Sequence, residues 1–409
     1  MITKSEQNFD VGGVILKQPF KIRRLGHFGI NSIDMEAALY FYRELLGFRI
    51  SDTRDPFDGK GTPDSCKAFG DCTGYFMRYG SDHHAFVIYN YRQRIATDKS
   101  GRFQKGININ QITWQCGTLG EVVRGHKWLS SRGREMLRSG RDMPGSNWHT
   151  YLYDPDGHTN ELYYGIEQIG WSGHSKPQEM HKREFKQTAT LPQIPEYEEV
   201  NAALAKDISL LTGRRDVEKT IAKYDVDGIL LPRPFKIVKI GPIGLFVKNL
   251  EKAVEFYTQD LGFIITTSTK YKNYNIVHLR NNTEHHSLTL ADIGLRSEME
   301  LPTHSTCLSF GLQLGSYRQL KDAIDYLEAA GVEIREVPNA LGNGMHYTAY
   351  AIDPDGQAIQ LYYYMEQIGW NGKPKPNSEV ETKKIADWPE TVEAFSDTYM
   401  GESFMGPLG

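Results

Sequence analysis

Hydrophobic and polar residues follow one another in an order that predicts short strands interrupted by two amphipathic helices. Residues 22–30 alternate loosely and predict a strand. Ser32 or Asp34 can then cap a helix, because short polar side chains accept hydrogen bonds from the first free backbone amides. The apolar positions of that helix recur at helical spacing and end before Gly47; they are Ala38, Phe41, Tyr42, Leu45 and Leu46.

The pattern continues with more strands and a second helix. A helix is predicted at residues 119–132, where Gly133 ends it. The turn Asp154–Gly157, Asp-Pro-Asp-Gly, joins the last two strands, and its neighbour His158 is expected to be exposed to solvent. The predicted strands after the first helix cover residues 74–78, 85–91, 109–116, 150–153 and 159–164. The order is therefore βαβββ–βαβββ.

This pattern occurs twice, because residues 11–176 and 226–376 are copies of one unit. The shared segments have similar sequences at corresponding places: 11–22 and 226–237, 38–48 and 253–263, 83–84 and 285–286, 154–157 and 353–356, and 167–171 and 366–370. Self-similarity of this kind indicates tandem domains. We therefore predict an α+β protein with two tandem domains, a charged and partly helical connector at 177–225, and a tail at 377–409. Copy one is longer, with predicted surface loops at 55–63 and near 98–106.

Composition narrows the range of functions. The chain has 409 residues, of which 39% are hydrophobic and 24% charged, so each copy can bury a core. Its net charge of −4 comes from interspersed acids and bases, which argues against a nucleic-acid partner. No apolar run has the length of a membrane span. The four cysteines match neither a disulfide framework nor a zinc pattern, so we expect buried reduced thiols and a cytoplasmic protein.

The motifs, taken together and in this order, resemble the vicinal-oxygen-chelate superfamily. They are the helix end Phe-Tyr…Leu-Gly-Phe, a histidine pair, and an Asp-Pro-Asp-Gly turn followed by an acid. Within that superfamily the chain looks like the two-domain type I extradiol ring-cleavage dioxygenases. The resemblance implies that paired modules curl into a half-open barrel around a metal ion. It also implies a small aromatic substrate and O2 as partners, with no nucleic acid or membrane partner, and, by analogy, a homo-oligomer.

The resemblance assigns three metal ligands to copy one. The first-strand ligand position is His27, and the last-strand position is Glu161. The remaining position falls at Gln111, where the dioxygenases have histidine. In copy two, the position equivalent to His27 is Pro242, and the position equivalent to Glu161 is Gln360. Ser309 lies near the position equivalent to Gln111. We therefore expect the metal in copy one, although known two-domain relatives usually keep it in the second copy.

Extradiol chemistry explains why these residue types are needed. Two neutral ligands and one carboxylate leave one face of an iron(II) ion free for a catecholate and dioxygen. The resemblance assigns the acid/base role to His84, since histidine titrates near neutral pH. It also suggests that Tyr151 contacts the substrate oxygens, that His149 supports the ligands, and that Asp142 stands near a position where the family often has histidine.

Three functions remain open from the sequence. The first is an iron(II)-dependent extradiol dioxygenase acting on a catechol-like ring. The second is a glyoxalase-like isomerase, lyase or hydrolase that uses manganese, zinc, nickel or cobalt. The third is a non-enzymatic binder of an aromatic ligand. Because both His286 and Tyr350 are retained in copy two, their counterparts His84 and Tyr151 also have a structural interpretation.

Overall fold

The computed structural model describes residues 7–58, 61–141, 147–181, 184–185, 187–369, 371–376, 379 and 381–393. Within these residues each copy forms two βαβββ modules on one mixed sheet. No helix in the described part of the chain is long and apolar enough to cross a membrane. All four cysteines are buried and free, as predicted.

Copy one begins with a short hairpin and continues with the predicted order of strands and helices. Its strands are β1 (Phe9–Val11), β2 (Val14–Leu16), β3 (Ile22–Ser32), β4 (Arg49–Arg54), β5 (Gly74–Arg78), β6 (Phe86–Asn90), β7 (Ile109–Cys116), β8 (Met136–Arg141), β9 (Trp148–Tyr153) and β10 (Thr159–Tyr164). Its α-helices are α1 (Met35–Leu39), α2 (Tyr91–Thr97) and α3 (Leu119–Ser131). A π-helical segment, Tyr40–Leu45, continues α1, and two 3₁₀ turns cover Asp64–Phe69 and Phe103–Lys105.

The connector contains β11 (Glu184–Phe185) and α4 (Glu196–Leu204), with 3₁₀ turns at Gln178–Met180 and Leu210–Thr212. Strand β11 extends the sheet of copy one, whose strand order is β11-β8-β9-β10-β7-β3-β6-β5-β4. The two edges of this sheet do not pair with each other among the described strands, so the sheet stays open.

Copy two repeats this architecture. Its strands are β12 (Tyr224–Val226), β13 (Ile229–Leu231), β14 (Ile237–Val247), β15 (Ile264–Tyr271), β16 (Tyr274–Arg280), β17 (Leu288–Asp292), β18 (Cys307–Leu314), β19 (Ile334–Glu336), β20 (Thr348–Ile352) and β21 (Ala358–Tyr362). Its helices are α5 (Leu250–Glu255), α6 (Leu295–Glu298) and α7 (Tyr317–Ala329), and α5 continues as the π-helical segment Phe256–Asp260. The sheet order is β15-β16-β17-β14-β18-β21-β20-β19. The predicted α+β class with two tandem domains is confirmed.

Local sequence explains where the helices begin and end. Of the two candidate caps for α1, Asp34 acts, accepting a hydrogen bond from the Ala37 amide at 3.0 Å. Gly47 follows the π-helical segment with φ +85°, a conformation that glycine adopts without strain. Helix α2 lies beyond the predicted strand 85–91, which ends at Asn90 because the Asn90 side chain caps α2 through the Gln93 amide.

The strand registers fix the correspondence between copies at residue level. On neighbouring strands, Gly29 lies opposite Gln111 in copy one, and Gly244 lies opposite Ser309 in copy two. Likewise, Tyr151 pairs with Glu161, whereas Tyr350 pairs with Gln360. The two copies therefore have the same pairing and different side chains on the sheet face where the ligands were predicted.

The opposite faces of the two sheets share a hydrophobic core. Phe86 stacks on Phe310 with ring centroids 5.1 Å apart, and Trp114 meets Phe263 edge-on at 4.9 Å. The area buried by such large aromatic side chains dominates the energetics of an interface. The two domains are therefore joined by a continuous apolar core.

Polar contacts at this interface are reciprocal. The Tyr42 hydroxyl donates to Asp353 at 2.8 Å, and the Tyr257 hydroxyl donates to Asp154 at 3.1 Å. The prediction that His158 is exposed is wrong. Its side chain is fully buried, with Nδ1 2.7 Å from Asp154 Oδ2 and Nε2 2.8 Å from Thr306 Oγ1 of copy two.

The connector and the C-terminal segment both pack against the domains. In the connector, the carboxylate of Asp216 pairs with Arg43 of copy one at 2.9 Å, so this charge of the connector is bound to the first domain. Beyond residue 376, the hydroxyl of Thr382 donates to the carbonyls of Gly342 and Met345 at 3.1 and 3.0 Å. The segment 381–393 thus packs on a loop of copy two.

Candidate metal centre

Two of the predicted ligands, His27 and Glu161, meet on one face of the copy-one sheet. Strand β7 lies between β3 and β10, so that His27, Thr113 and Glu161 form one row across three strands. His27 Nε2 lies 3.2 Å from Glu161 Oε2, and the two side chains are 1% and 0% exposed. A buried imidazole and a buried carboxylate are therefore in direct contact.

The carboxylate of Glu161 is surrounded by donors. Thr113 Oγ1 donates to Oε2 at 2.7 Å, and Asn147 Nδ2 donates to Oε1 at 3.1 Å. Burial alone would raise the pKa of Glu161, but His27, His149 and the Thr113 hydrogen bond outweigh it and lower this pKa to about 2. Glu161 is therefore an ionised carboxylate that is shielded from water. Such a carboxylate is suited to binding a cation.

The third predicted ligand, Gln111, lies beside the same carboxylate. It precedes the Thr118 cap of α3 by seven residues, as His27 precedes the Asp34 cap of α1. It therefore occupies the position related to His27 by the internal symmetry of the two modules. Its Nε2 lies 3.4 Å from Glu161 Oε2, so the amide nitrogen faces the carboxylate.

The predicted acid/base, His84, lies against His27 with ring centroids 4.3 Å apart. Its Nδ1 is 3.0 Å from Nδ1 of His83, and Phe76 meets its ring edge-on at 5.2 Å. Burial lowers the pKa of His84 well below its usual value, and the neighbouring His27 and His83 lower it further. A neutral imidazole in this position can accept a proton.

The remaining candidates lie on β9 or outside the described residues. His149 Nδ1 is 3.8 Å from Glu161 Oε1, and its ring centroid is 4.7 Å from that of Tyr151. The guanidinium of Arg138, on the neighbouring strand β8, lies 4.7 Å above the Tyr151 ring. Asp142 falls within residues 142–146, which lie outside the described part of the chain.

Sequence reasoning missed two donors to Glu161. Thr113 could have been found, since it lies two residues after Gln111 on a strand and therefore shares its face. Asn147 belongs to a stretch rich in glycine and serine and carried no periodic signal. Tyr163 was also missed; its ring lies 5.0 Å from that of His27.

The donor set suits a divalent metal, although the site is not fully preformed. Two adjacent ligands of a first-row metal, each about 2.1 Å from it, lie about 3 Å apart; the 3.2 Å between His27 and Glu161 matches this. Among the described residues, no group of three or more His, Cys, Asp and Glu side chains has the spacing of a metal site. Hence His27 and Glu161 have the spacing of two metal ligands, and a third side chain would have to move to complete a set.

Copy two has filled the equivalent space with its own loop. Between β19 and β20 this loop places Met345, which is fully buried, beside Gln360, whose Nε2 lies 3.5 Å from Met345 Sδ. The Ala340 carbonyl of the same loop lies 2.9 Å from His278 Nε2. With Pro242 and Gln360 at the ligand positions, the described residues of copy two offer a metal neither imidazole nor carboxylate there.

A cavity of about 430 Å³ opens in copy one, within the size range of small-molecule sites, but none of the three predicted ligands lines it. At its floor Arg24 contacts Asp82 at 3.0 Å and Gln115 at 2.7 Å, and Tyr163 separates Gln115 from His27. Copy two has a corresponding ion pair at the positions of Arg24 and Asp82. The charged floor is therefore common to both copies and carries no information about a substrate.

The sequence matches the family model described as the Glyoxalase/Bleomycin resistance protein/Dioxygenase superfamily, at residues 24–162 and again at 239–361. The chain belongs to this superfamily. The match covers both copies and includes all three predicted ligand positions in copy one.

One curated relative of this superfamily member is named as a metapyrocatechase. Metapyrocatechase 2 from Cupriavidus necator is 27% identical over 189 residues, which is 46% of this chain and 50% of the relative. The chain therefore spans about half the length of the curated relative it matches. The likeness supports a dioxygenase at the level of the family.

Solved structures share the fold at low sequence identity. A Mn(II)-bound glyoxalase from Novosphingobium aromaticivorans has a TM-score of 0.53 and 14% identity, with 90% of this chain and 89% of that chain covered. A variant of homoprotocatechuate 2,3-dioxygenase from B. fuscum has a TM-score of 0.54 and 12% identity, with 87% and 75% covered. A halotolerant catechol dioxygenase gives 0.53 and 15%, with 90% and 96% covered.

Proposed function

We propose that copy one is an iron(II)-dependent dioxygenase that opens a catechol-like aromatic ring by the extradiol route. The observation that carries the proposal is the buried contact between His27 and Glu161, which copy two lacks. The ring-cleavage enzymes among the relatives support it. Iron(II), when bound, would hold the catecholate and dioxygen side by side, which removes much of the entropic cost of bringing them together.

The residues of copy one have distinct roles in this proposal. His27 and Glu161 hold the metal, with Gln111 at the third predicted position. His84 accepts the phenolic proton, because its buried imidazole is neutral and lies next to His27. It returns the proton later in the reaction, a contribution worth about 10²–10⁴ in rate. Tyr151, on the same face as Glu161, donates a hydrogen bond to a substrate oxygen, and Asp142 stays a predicted contributor.

A second function is favoured by one observation. An amide at position 111 departs from the histidine of the dioxygenases, and the fold is shared with a Mn(II)-bound glyoxalase. The same site could therefore hold manganese, zinc, nickel or cobalt and catalyse an isomerase, lyase or hydrolase reaction without oxygen. A neutral oxygen ligand discriminates among these metals less strongly than imidazole favours iron.

Metal analysis of protein purified without oxygen tests the proposal and separates the two functions. Iron near one per chain, with oxygen uptake on adding catechols, supports the dioxygenase. Another metal without oxygen uptake supports the glyoxalase-like enzyme, and a chain that takes up no metal contradicts both. His27→Ala should abolish metal binding and activity. Pro242→Ala, at the equivalent position of copy two, should leave both unchanged.

A further inference from the structure

We propose that His149 supplies the second imidazole of the copy-one metal centre, in place of the histidine that position 111 lacks. The inference rests on the proposed metal-dependent function and names a ligand for it. The metal would then be held by His27, His149 and Glu161, and the Gln111 amide would donate a hydrogen bond to the Glu161 carboxylate.

The geometry around Glu161 carries this inference. The two carboxylate oxygens have an imidazole nitrogen on either side: His27 Nε2 is 3.2 Å from Oε2, and His149 Nδ1 is 3.8 Å from Oε1. Ligands of a common metal lie about 3 Å apart. A shift of about 1 Å by His149 therefore completes the set, whereas His27 is already in place. His149 is 2% exposed, so its imidazole is shielded from solvent.

The strand register makes such a shift compatible with the fold. His149 and Glu161 lie on the antiparallel neighbours β9 and β10, where Glu161 pairs with Tyr151 and His149 pairs with Tyr163. The two side chains are thus diagonal neighbours on one face of the sheet. Diagonal pairs are within reach of long and aromatic side chains, so the register allows His149 and Glu161 to contact a common ion.

Gln111 is less suited to be the third ligand. Its amide nitrogen, which cannot bind a cation, lies 3.4 Å from Glu161 Oε2. In this orientation it steadies the carboxylate, as the Asn147 amide does on the other oxygen at 3.1 Å. Hydrogen bonds to a ligating carboxylate orient it and tune the metal. Two imidazoles and one carboxylate also form the donor set of non-haem iron(II) sites with open positions.

Copy two provides the internal control. The position of His149 is Thr348 there, and the Thr348 hydroxyl donates to the Leu361 carbonyl at 3.0 Å. Threonine therefore satisfies the fold at this place, and histidine is not required by it. Pro242, Gln360 and Thr348 replace His27, Glu161 and His149, so all three proposed ligands differ between the copies. The His83–His84 pair, in contrast, recurs as His285–His286 with the same 3.0 Å contact.

Copper(II) added to the metal-free full-length protein allows the coordinated imidazoles to be counted by pulsed electron paramagnetic resonance. We expect two imidazoles in the wild type and one in His149→Thr, which carries the residue that copy two tolerates. His27→Ala should leave no copper bound at this site, and Gln111→Ala should still give two imidazoles. Adding Gln111→His to His149→Thr should restore the count to two. Calorimetric titration with manganese(II) should show binding weakened more than about 100-fold in His149→Thr, beyond the roughly 10–100-fold loss typical of a residue that only orients a ligand.

The outcomes separate this inference from the function on which it rests. One imidazole in the wild type, or two in His149→Thr, overturns the inference and leaves a metal held by His27 and Glu161. A wild-type protein that binds neither copper nor manganese in copy one overturns both. If His149→Thr unfolds, as its circular dichroism would report, His149→Gln serves as the second variant, with the same expected count of one.

Discussion

The two copies of this chain have the same strand pairing and differ in the side chains on one sheet face. In copy one that face carries His27, Thr113 and Glu161 in a row, all buried. In copy two the same face carries Pro242 and Gln360, and the loop before β20 brings Met345 against Gln360. The duplicated fold thus has a buried imidazole in contact with a carboxylate on this face in one half, and a proline, a glutamine and a methionine there in the other.

This difference shows which motifs the fold retains even without the predicted ligands. The histidine pair, the tyrosine opposite the last-strand ligand and the Asp-Pro-Asp-Gly turn occur in both copies, including the one without ligands. In copy two, His286 packs against His278 with ring centroids 4.6 Å apart, in the way that His84 packs against Phe76. Residues shared by both copies are therefore weak indicators of chemistry, and residues that differ are strong ones.

Among residues that are not proposed ligands, the second histidine of the copy-one pair, His84, should give the largest effect when it is replaced. His84→Gln should lower turnover by about 10²–10⁴, the usual contribution of general acid–base catalysis, because glutamine can neither accept nor return a proton. Metal content should stay at the wild-type level, since His84 touches His27 through its ring and is not a proposed ligand. Oxygen uptake with a catechol, measured at matched metal content, checks this.

The matched control is His286→Gln in copy two. Its environment is similarly buried and its Nδ1 likewise lies 3.0 Å from the preceding histidine. It should affect stability as much as His84→Gln and leave turnover unchanged. Equal losses of activity in both variants would mean that the pair supports the fold and that His84 has no chemical role.

The fold was predictable from the sequence because its signals are local and repeated. Caps such as Asp34, stops such as Gly47 and strands such as 109–116 follow from residue types within a few positions, and the second copy repeats them. Helix α2 was missed because the seven residues 91–97 are too few for a clear period. The burial of His158 was missed because it depends on Thr306, which is 148 residues away in the other domain.

The second prediction concerns Asp353, a buried carboxylate at the domain interface. Burial and the neighbouring Asp355 raise the pKa of Asp353 to about 7, against hydrogen bonds that lower it. Below pH 4 this carboxyl is protonated in both the folded and unfolded states. Between pH 4 and 7 the unfolded chain releases the proton and the folded chain keeps it, so the free energy of unfolding falls as the pH rises. Asp353→Asn should remove this fall, worth about 2–4 kcal/mol.

Urea unfolding of both proteins at pH values from 4 to 8 measures this difference. Tyr42→Phe is the control, because it deletes the hydrogen bond to Asp353 and keeps the carboxyl. It should cost about 1 kcal/mol and retain the dependence on pH. If the wild type and Asp353→Asn respond to pH in parallel, the carboxyl of Asp353 titrates in the folded protein as it does in the unfolded chain.

The metal centre was predictable only in part, since its members come from four strands. His27, Gln111, His149 and Glu161 each had a motif or a position to identify them, and the structure brings them together around one carboxylate. The row that joins His27 to Glu161 through Thr113 depends on the pairing of β3, β7 and β10. A sequence gives the face of each strand but not the register between strands that are far apart in the chain. The face of Thr113 could therefore be predicted but not its contact with Glu161, whereas Asn147 precedes β9 and carried no periodic signal.

The smallest expected effect comes from giving copy one the interface residue of copy two. His158 bridges Asp154 and Thr306 across the domain interface, and its counterpart is Gln357, whose Nε2 lies 3.5 Å from Asp353. His158→Gln should lower the free energy of unfolding by about 1–2 kcal/mol, because it weakens a short hydrogen bond to a buried carboxylate. Turnover should not change, since His158 packs on the face of the sheet opposite to Glu161. Thermal unfolding and oxygen uptake on the same preparation measure both quantities. An unchanged stability would show that the two residues are interchangeable at the interface, and a loss of turnover would show that the interface is coupled to the metal centre.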